Sequence, residues 1–296
     1  MTKKRSAAKG PKSARKTKSP PKRSAQRALS VGTRARSTVK ERVAALAEAT
    51  LTVCENDENL QAMLNLLRSK DEPVKVRLAA LQSLQAASFS VVAFESCRGD
   101  YIAALRGVAE DPDPELRQRV LGMLAREKDG FAQKKLLAGL QNPEKALVSP
   151  EKALQLLSYD VHAEAYSAAR EVLSNPPNPI AKREALRLLA ADATAAPLFE
   201  KVLRDKDETP ENRQLSASAL HALKPETLQA NAREILLDTS EQDEIQATSL
   251  TALTQFGDDA SIKKDEALLK RVDHLSGEAS TRVKQNARQF LTKYGS

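Results

Sequence analysis

The 296-residue sequence lacks tryptophan, and its aromatic residues together make up only 3% of the chain. It also lacks any run in which apolar and polar residues alternate, which is the pattern of a half-buried strand. The apolar residues that are present are mostly Ala and Leu, and both lose little side-chain entropy on entering a helix. This composition predicts an all-α protein.

Cysteine is scarce as well, since the chain holds only Cys54 and Cys97 and neither belongs to a Cys-x-x-Cys pair. Two cysteines in a chain of this length form no disulfide framework, so we expect small core residues in a reducing compartment. No stretch approaches the ~20 apolar residues of a membrane span, and the N-terminus lacks the apolar segment of a secretory signal. We therefore expect a soluble intracellular protein, cytoplasmic, nuclear or nucleoid-associated, with organelle import as an alternative.

The residue patterns of known catalytic and metal sites are also missing. The histidines stand far apart, and no glycine-rich phosphate loop, nucleophile elbow or zinc spacing occurs. Carboxylate clusters fall in predicted turns between helices, where we expect them to cap helices and keep the loops solvated. We therefore predict no enzyme activity, no catalytic or metal-binding residue and no cofactor. The histidines are His162, His221 and His274.

Positive charge is concentrated at the N-terminus, while the whole chain has a net charge of +8. Residues 1–40 contain fourteen of the 47 basic residues and none of the 39 acidic ones, which leaves 33 basic residues against those 39 in the rest of the chain. Ordering each backbone residue costs ~1–2 kcal/mol. The N-terminal residues include almost no large apolar side chain whose burial could offset that cost. We therefore predict that residues 1–36 form a disordered, mobile arm.

An arm of this charge predicts electrostatic binding of a polyanion, DNA or RNA, because Lys and Arg neutralise phosphates and release condensed counterions. No aromatic residue precedes Phe89, so bases have no stacking platform and binding should not depend on nucleotide sequence. The segment Ser19–Arg23 resembles the Ser-Pro-rich basic tails of linker histones. Three alternatives stay open: a solubility tail, a nuclear localisation segment and a transit peptide. The residues assigned to nucleic-acid contact are Lys3, Lys4, Arg5, Lys9, Lys12, Arg15, Lys16, Lys18, Lys22, Arg23 and Arg27.

The rest of the chain repeats one pattern, which residues 73–84 show in full. A helix-starting residue is followed by a basic residue four positions later, a small residue after seven, and Leu after eight and eleven. These spacings place the apolar side chains on one helix face. The small residue recurs at intervals typical of a helix pair, which predicts an α-solenoid of about seven to eight stacked hairpins over residues 37–296. The small-residue positions are Ala45, Ala80, Val120, Ala153, Ala185, Ser216, Ser249 and Ala287.

Three of the predicted helices begin with the same local signal, at Asp113–Glu115, Ser149–Glu151 and Thr209–Glu211. The first side chain accepts a hydrogen bond from a free amide, and the following Pro suits the first helical position because it has no amide to leave unbonded. The Glu then faces the positive end of the helix dipole. The last segment, Glu278–Tyr294, surrounds a thin apolar stripe with polar residues and is predicted to cap the solenoid.

Residues 71–84 resemble the HEAT-repeat consensus, in which Asp or Pro opens the first helix and a Val/Arg pair lies inside it. The resemblance covers about residues 37–294 and implies a fold of stacked helix pairs, with armadillo-type repeats as the alternative. It also implies a ladder in which the basic residue of one repeat pairs with an Asp of a neighbouring repeat. Gln246 departs from the basic position, and the unit around Ala153 lacks it. The predicted ladder residues are Arg42, Arg77, Arg117, Lys182, Arg213 and Lys284.

The fold and the uneven charge together predict a non-enzymatic scaffold. The second helices of the repeats would line a concave surface that binds a protein segment, and the arm would bind nucleic acid or another polyanion. The alternative is a direct nucleic-acid binder or a nucleic-acid-modifying enzyme of the HEAT-like DNA glycosylase type, which needs a basic stripe on that surface. A third hypothesis is a targeting tail on a purely protein-binding solenoid. The stripe candidates are Arg98, Arg106, Lys134, Lys135, Arg170, Lys201, Arg204, Arg233, Lys263 and Lys264, interspersed with Glu95, Glu164, Glu171, Glu200, Glu234 and Asp265.

Overall fold

The computed structural model describes residues 22–295, and the predictions made for residues 1–21 lie outside that range. Residues 22–295 form helices, turns and loops and contain no strand, which confirms the predicted all-α class. The chain divides into two compact units, Met1–Val120 and Leu121–Ser296, and the boundary falls inside a helix.

The helices of the first unit are α1 (Lys22–Gly32), α2 (Val39–Glu48), α3 (Asp57–Arg68), α4 (Val74–Ser88), α5 (Val91–Phe94), α6 (Arg98–Val108) and α7 (Pro114–Arg126), which crosses the boundary. The second unit continues with α8 (Gly130–Gln141), α9 (Pro150–Leu157), α10 (Ala163–Ser174), α11 (Pro179–Leu189), α12 (Ala196–Arg204), α13 (Pro210–Leu223), α14 (Pro225–Leu237), α15 (Asp243–Phe256), α16 (Asp259–Ile262), α17 (Glu266–Glu278) and α18 (Thr281–Tyr294). Short 3-10 helices cover Ala49–Thr52, Glu95–Cys97 and Pro143–Lys145.

The helices fall into two kinds, and each kind stacks on its own. We call α2, α4, α7, α9, α11, α13, α15 and α18 the first helices, because they carry the small-residue positions, and α3, α6, α8, α10, α12, α14 and α17 the second helices. In the second unit α9, α11, α13, α15 and α18 contact one another in succession, and α12, α14 and α17 do the same. Second helices also pack against the next first helix, as in α3 with α4 or α12 with α13. This is the predicted architecture of stacked helical hairpins.

All eight small-residue positions are buried, as the predicted packing requires. The helix-start signals also hold, since α7, α9 and α13 each begin at the expected proline. Asp113 Oδ1 accepts a hydrogen bond from the Leu116 amide at 2.8 Å, and Thr209 Oγ1 accepts one from the Asn212 amide at 3.3 Å. Ser149 makes no such side-chain bond at the start of α9. The sequence signals therefore locate the helix starts, although not every cap forms a bond.

Helix α1 corrects the predicted boundary of the arm. The sequence predicts a disordered segment up to residue 36, but Lys22–Gly32 are helical and α1 packs against α2. Gly32 lies so close to α2 that a Cβ there would be 2.7 Å from Cδ2 of Leu46. The prediction was wrong here because it counted large apolar residues, whereas small ones at helical spacing suffice when two helices approach closely. The buried residues of α1 are Ala25, Ala28 and Leu29.

The segment Val91–Val108, whose apolar spacing predicts one helix, is broken into α5, a 3-10 turn and α6. Helix α4 and this segment are bent relative to each other by 119°, and Phe89, Val91 and Val92 at the corner are exposed. Within residues 22–295, no single helix is long and apolar enough to cross a membrane. In the same range, only α4 and Val91–Val108, taken together as a bent pair, have the required length and apolar content.

The C-terminal part of the second unit contains one continuous apolar core, to which α14, α15, α17 and α18 contribute. Helix α18 buries one side in this core and carries exposed polar residues, including Arg282 and Arg288, on its other sides. The Tyr294 hydroxyl donates to the Leu253 carbonyl at 2.8 Å, which ties the end of α18 to α15. The core residues from α18 are Val283, Ala287, Phe290 and Tyr294.

Candidate functional site

The predicted ladder arginines bind the end of the preceding second helix. The last carbonyls of a helix have no hydrogen-bond partner within it and carry partial negative charge. A guanidinium placed there donates a hydrogen bond to such a carbonyl and interacts favourably with its charge. Helix α1 is used in the same way as a second helix, which shows that it belongs to the stack. The bonds run from the arginine Nε to a backbone carbonyl: Arg42 to Gly32 (2.9 Å), Arg77 to Leu67 (3.0 Å) and Arg213 to Leu203 (2.8 Å).

Those three arginines, and Lys182 as well, pair with a carboxylate that lies just before the next first helix. The carboxylate in turn accepts hydrogen bonds from the start of its own helix, as Asp111 does from the Asp113 amide (3.0 Å) and Glu208 from the Thr209 amide (2.9 Å). Each pair therefore joins two successive repeats. The pairs are Arg42 with Glu72 (2.7 Å), Arg77 with Asp111 (2.5 Å), Lys182 with Glu208, and Arg213 with Glu241 (2.6 Å).

The remaining two predicted ladder positions are Arg117 and Lys284. Arg117 donates from Nη1 to the Asp111 carbonyl in its own loop at 2.7 Å. Lys284 forms no ion pair with a carboxylate of residues 22–295. Gln246, which replaces the basic residue in α15, donates instead to the carbonyl of Glu241 at 2.9 Å.

Two of the ladder carboxylates, Asp111 and Glu208, have a lowered pKa and are therefore held in their charged form. Burial alone raises the pKa of Asp111, but the hydrogen bonds from Arg77 and Asp113 and the charge of Arg77 together lower it below its ordinary value. The pKa of Glu208 is likewise lowered, because the hydrogen bond and charge of Lys182 and neighbouring donors outweigh the effect of burial. A carboxylate that stays ionised against its cation fixes one repeat on the next, so this set of residues is structural.

A groove on the first helices of the second unit is the best candidate for a binding site. It has a volume of about 420 Å³ and is lined mainly by α13 and α15, with Leu228 of α14 and Arg282 of α18. Five of its side chains are polar and uncharged: Gln214, Ser218, Thr248, Thr251 and Gln255.

The groove is suited to hydrogen bonding with a neutral ligand backbone. Among its lining residues, only His221 and Arg282 are ionisable. The side chains of Gln214, Ser218 and Gln255 make no hydrogen bond within residues 22–295, so their side-chain donors and acceptors are open to a ligand. Amide and hydroxyl groups match the one donor and one acceptor that each peptide unit of a bound chain presents.

Two stacked rings form an aromatic wall of the groove. His221 and Phe256 lie with ring centroids 3.7 Å apart and planes inclined by 24°. Gln229 Nε2 donates to the Phe256 carbonyl at 2.7 Å, which holds the end of α15 against α14. Gly257 follows, and a Cβ there would lie 2.2 Å from Cδ1 of Ile262, so glycine is needed for this close turn. The position of Phe256 is therefore fixed from both sides.

The sequence reasoning missed this groove, because it assigned partner binding to the second helices. A signal was available, since residues 214–223 and 245–257 contain no Asp, Glu, Lys or Arg in a chain that is 29% charged. A helix side that faces only solvent is normally rich in charged residues. Two neighbouring first helices with exposed Gln, Ser and Thr therefore indicate a surface with another use.

The basic stripe predicted on the second helices is partly neutralised. Several of its members pair with carboxylates, among them Arg98 with Glu95 (3.3 Å), Arg170 with Asp192, and Arg233 with Asp265 (2.5 Å). The Arg233 hydrogen bond lowers the pKa of Asp265 below its ordinary value. These pairs reduce the free positive charge that a phosphate backbone requires. Other members are exposed, among them Lys134, Lys201, Arg204, Lys263 and Lys264.

The predicted nucleic-acid-binding residues fall into two groups. Arg27 is exposed on α1, and the backbone of Lys22 and Arg23 forms the start of the same helix. The remaining eight, from Lys3 to Lys18, lie outside the described residues.

The histidines do not come together. His162 Nδ1 accepts a hydrogen bond from the Ala165 amide at 3.1 Å and so caps α10, while His274 lies 3.5 Å from Glu278 on α17. His221 belongs to the groove. In the part of the chain that the structure covers, no three His, Cys, Asp or Glu side chains are grouped so that they could hold a metal ion.

The two cysteines do come together, in the first unit. Cys54 is half-buried in the turn before α3, and Cys97 is buried at the end of the 3-10 turn before α6. Burial, with a hydrogen bond and the charge of Cys97, raises the pKa of the Cys54 thiol to about 12. A nucleophilic cysteine needs a lowered pKa, so the raised pKa of Cys54 makes its thiol a poor nucleophile.

No protein-family model matches the chain, and no curated protein matches it. Among solved structures, it is similar to the karyopherin Kap121p bound to the extreme C-terminus of the protein phosphatase Cdc14p, with 16% sequence identity and a TM-score of 0.50. That match covers 86% of this chain and 32% of the karyopherin chain. A second match is human deoxyhypusine hydroxylase in complex with glycerol, with 16% identity, a TM-score of 0.35, and coverage of 83% and 98% of the two chains. The karyopherin likeness confirms the HEAT-like helical-repeat fold, and at this identity it establishes the fold alone.

Proposed function

We propose that this chain is a non-enzymatic scaffold that binds an extended protein segment in the groove between α13 and α15, while its basic N-terminal segment binds a polyanion. The observation that carries the first part is the composition of the groove. The groove is lined by uncharged hydrogen-bonding side chains, by the aromatic pair of His221 and Phe256, and by a single cation.

An extended peptide fits this composition better than a nucleic acid does. The groove has one cation, Arg282, whereas a phosphate backbone is held by several. The amides of Gln214 and Gln255 can bond peptide groups, the aromatic wall can pack an apolar side chain, and Arg282 can pair with a carboxylate of the segment. The nucleic-acid-modifying alternative stays a prediction, since the groove supplies only His221 as an acid or base.

The fold supports the same proposal. In the karyopherin structure, a protein of this fold was crystallised with a chain terminus of another protein. Stacked helix pairs present long exposed surfaces on which a chain segment can lie. Repeat folds serve many functions, so the residues of the groove carry the proposal and the fold only makes it reasonable.

Site-specific photo-crosslinking tests the groove directly. A benzoylphenylalanine at Gln255 should give a defined adduct with a partner protein in the native cell extract, and Ser218→Arg, which fills the groove from an exposed position, should abolish it. The matched control carries the same crosslinker at Glu171, exposed on the second helix α10. Adducts from position 171 alone would place the binding surface on the second helices and refute the groove.

The N-terminal segment is tested separately. The full chain and a chain that starts at residue 22 are compared for binding to a 20-base-pair duplex at low and at physiological salt. We expect the shorter chain to bind far more weakly, and the binding of the full chain to fall steeply with salt, because eight basic residues precede position 21. Equal binding by both chains would refute the role of this segment and leave the groove proposal intact.

A further inference from the structure

The last first helix, α18, carries a ladder cation without its carboxylate. Every other ladder cation in the second unit that forms an ion pair takes its carboxylate from the loop before the next first helix, as Lys182 does from Glu208 and Arg213 from Glu241. Lys284 occupies the same position in α18, and residues 22–295 supply no carboxylate to it. The basic position of the ladder is therefore interrupted at Gln246 in α15 and returns at Lys284 in α18, where the described residues supply no carboxylate.

The side of α18 that contains Lys284 is cationic and polar. It has a shallow depression of about 370 Å³, and the sequence of α18 contains no Asp or Glu. We call this surface the Lys284 face. Its lining residues are Thr281, Lys284, Gln285, Arg288, Gln289 and Thr292.

The Lys284 face is separate from the groove described above. Arg282 lines the groove, whereas Lys284 and Arg288 line the depression, and no residue is common to both. Residues two apart on a helix point to different sides, because each residue advances about 100° around the axis. Binding at one surface can therefore be tested without altering the other.

We propose that the Lys284 face binds a helical segment of another protein that carries an acidic residue just before its first turn. The segment would stack on α18 as α13 stacks on α11, with its carboxylate between Lys284 and Arg288. Charge complementarity supports this occupant, since this side of α18 offers the cations Lys284 and Arg288 and the helix contains no Asp or Glu. Gln285 and Gln289 add hydrogen-bond donors and acceptors beside the cations.

A second copy of this chain does not fit the face equally well. The loop before α2, which would have to supply the carboxylate in head-to-tail stacking, contains Arg34 and Arg36 and no acidic residue. It would bring cations against cations, which disfavours the contact. The other acidic loops of the ladder are already occupied by their own cations.

The test uses the full chain and a labelled peptide that reproduces a natural ladder partner. The peptide spans residues 205–223, which contain Glu208 and helix α13. Fluorescence anisotropy should detect binding, and the protein variant Lys284→Glu/Arg288→Glu should weaken it at least tenfold. The peptide variant Glu208→Gln should weaken it to a similar extent, and a peptide with Glu208→Lys should regain affinity for the charge-reversed protein.

The control has the same change of charge at another exposed place, Lys263→Glu/Lys264→Glu, and should leave the affinity unchanged. Circular dichroism melts of both variants confirm that they fold.

Three results would overturn the proposal: no binding of the peptide, equal loss in the control, or retention of peptide binding by Lys284→Glu/Arg288→Glu together with loss of duplex DNA binding. The last result would assign the face to phosphates. Ser218→Arg, which blocks the groove, should not affect the peptide, so the failure of this proposal and that of the groove are distinguishable.

Discussion

Arg213 and Glu241 form a two-point ion pair in which Nη1 donates to Oε1 at 2.8 Å and Nη2 donates to Oε2 at 2.6 Å. Their side chains are 0% and 2% exposed, so the pair is removed from water. Arg213 also donates to the Leu203 carbonyl, and Glu241 accepts from the Gln242 amide. This pair therefore locks α12, α13 and the loop before α15 into one arrangement.

Removal of one member of this pair should be strongly destabilising. Arg213→Met leaves the Glu241 carboxylate buried and uncompensated, and such a loss costs about 3–5 kcal/mol. Urea unfolding followed by circular dichroism measures the change. The double variant Arg213→Met/Glu241→Leu should recover much of the lost free energy of unfolding, because no buried charge remains.

The matched control is Arg119→Ala, which removes an exposed pair with Glu115 on α7. A pair of this kind is worth about 0.5 kcal/mol or less. If Arg213→Met proved as mild as Arg119→Ala, the ladder would not be what holds successive repeats together.

Acid should weaken the ladder through Asp111. Its pKa is lower in the folded chain than the ~3.9 of an unfolded Asp, so its contribution to stability is complete above that value and is lost as the pH falls through the folded pKa. Asp111→Asn should be less stable than the natural chain by about 1–3 kcal/mol at pH 7, and the difference should shrink below about pH 4. Unfolding curves at pH 7, 5, 4 and 3 show whether it does, and a difference that is constant with pH would contradict the assignment.

The folded part of the N-terminus should begin at α1. A chain without residues 1–21 should melt at the same temperature as the full chain. A chain without residues 1–36 loses α1, which removes the Gly32 carbonyl bound by Arg42 and exposes the α2 surface, so its melting temperature should fall by at least about 5 °C. Equal melting of all three chains in a thermal scan would restore the boundary at residue 36.

The Cys54 thiol should react slowly with alkylating reagents. With a pKa of about 12, it has little thiolate at pH 8, whereas an ordinary thiol of pKa ~8.5 is about a quarter ionised at that pH. Iodoacetamide at pH 8 should therefore modify Cys54 in the folded chain about a thousandfold more slowly than in urea, as measured by peptide mass spectrometry. Cys97→Ser should leave Cys54 slow, because burial is the larger cause; fast labelling of the folded natural chain would show that the thiol is not covered.

The helices and their stacking could be predicted from the sequence because they depend on local spacing. A Leu or Ala every three or four residues can bury only one helix face, and the Pro and capping residues fix where each helix starts. Arg77 and Arg213 could be assigned to inter-repeat contacts because the repeat places them at one position. Their acidic partners could not be assigned as simply, since Glu72, Asp111 and Glu241 lie at different distances along the sequence.

Helix α1 and the groove could not be predicted from local sequence spacing in the same way. Helix α1 buries only small residues, and whether Ala25 and Ala28 are covered depends on a neighbour that the local sequence does not specify. The groove arises where α13 and α15 lie side by side, so no single segment reveals it. The absence of charge from both helices is visible in the sequence, but its meaning depends on their proximity in space.

The glutamine at position 246 gives the joint between α15 and α18 a different chemistry from the joints before it. Gln246 keeps its bond within its own repeat, and α18 is attached to α15 through apolar contacts and through hydrogen bonds that Tyr294, Asn286 and Lys293 donate to backbone carbonyls. None of these groups changes its charge between neutral and strongly acidic solution, whereas Asp111 and Glu208 do. Progressive acidification would therefore weaken the joints that contain Asp111 and Glu208 before it weakened the joint between α15 and α18.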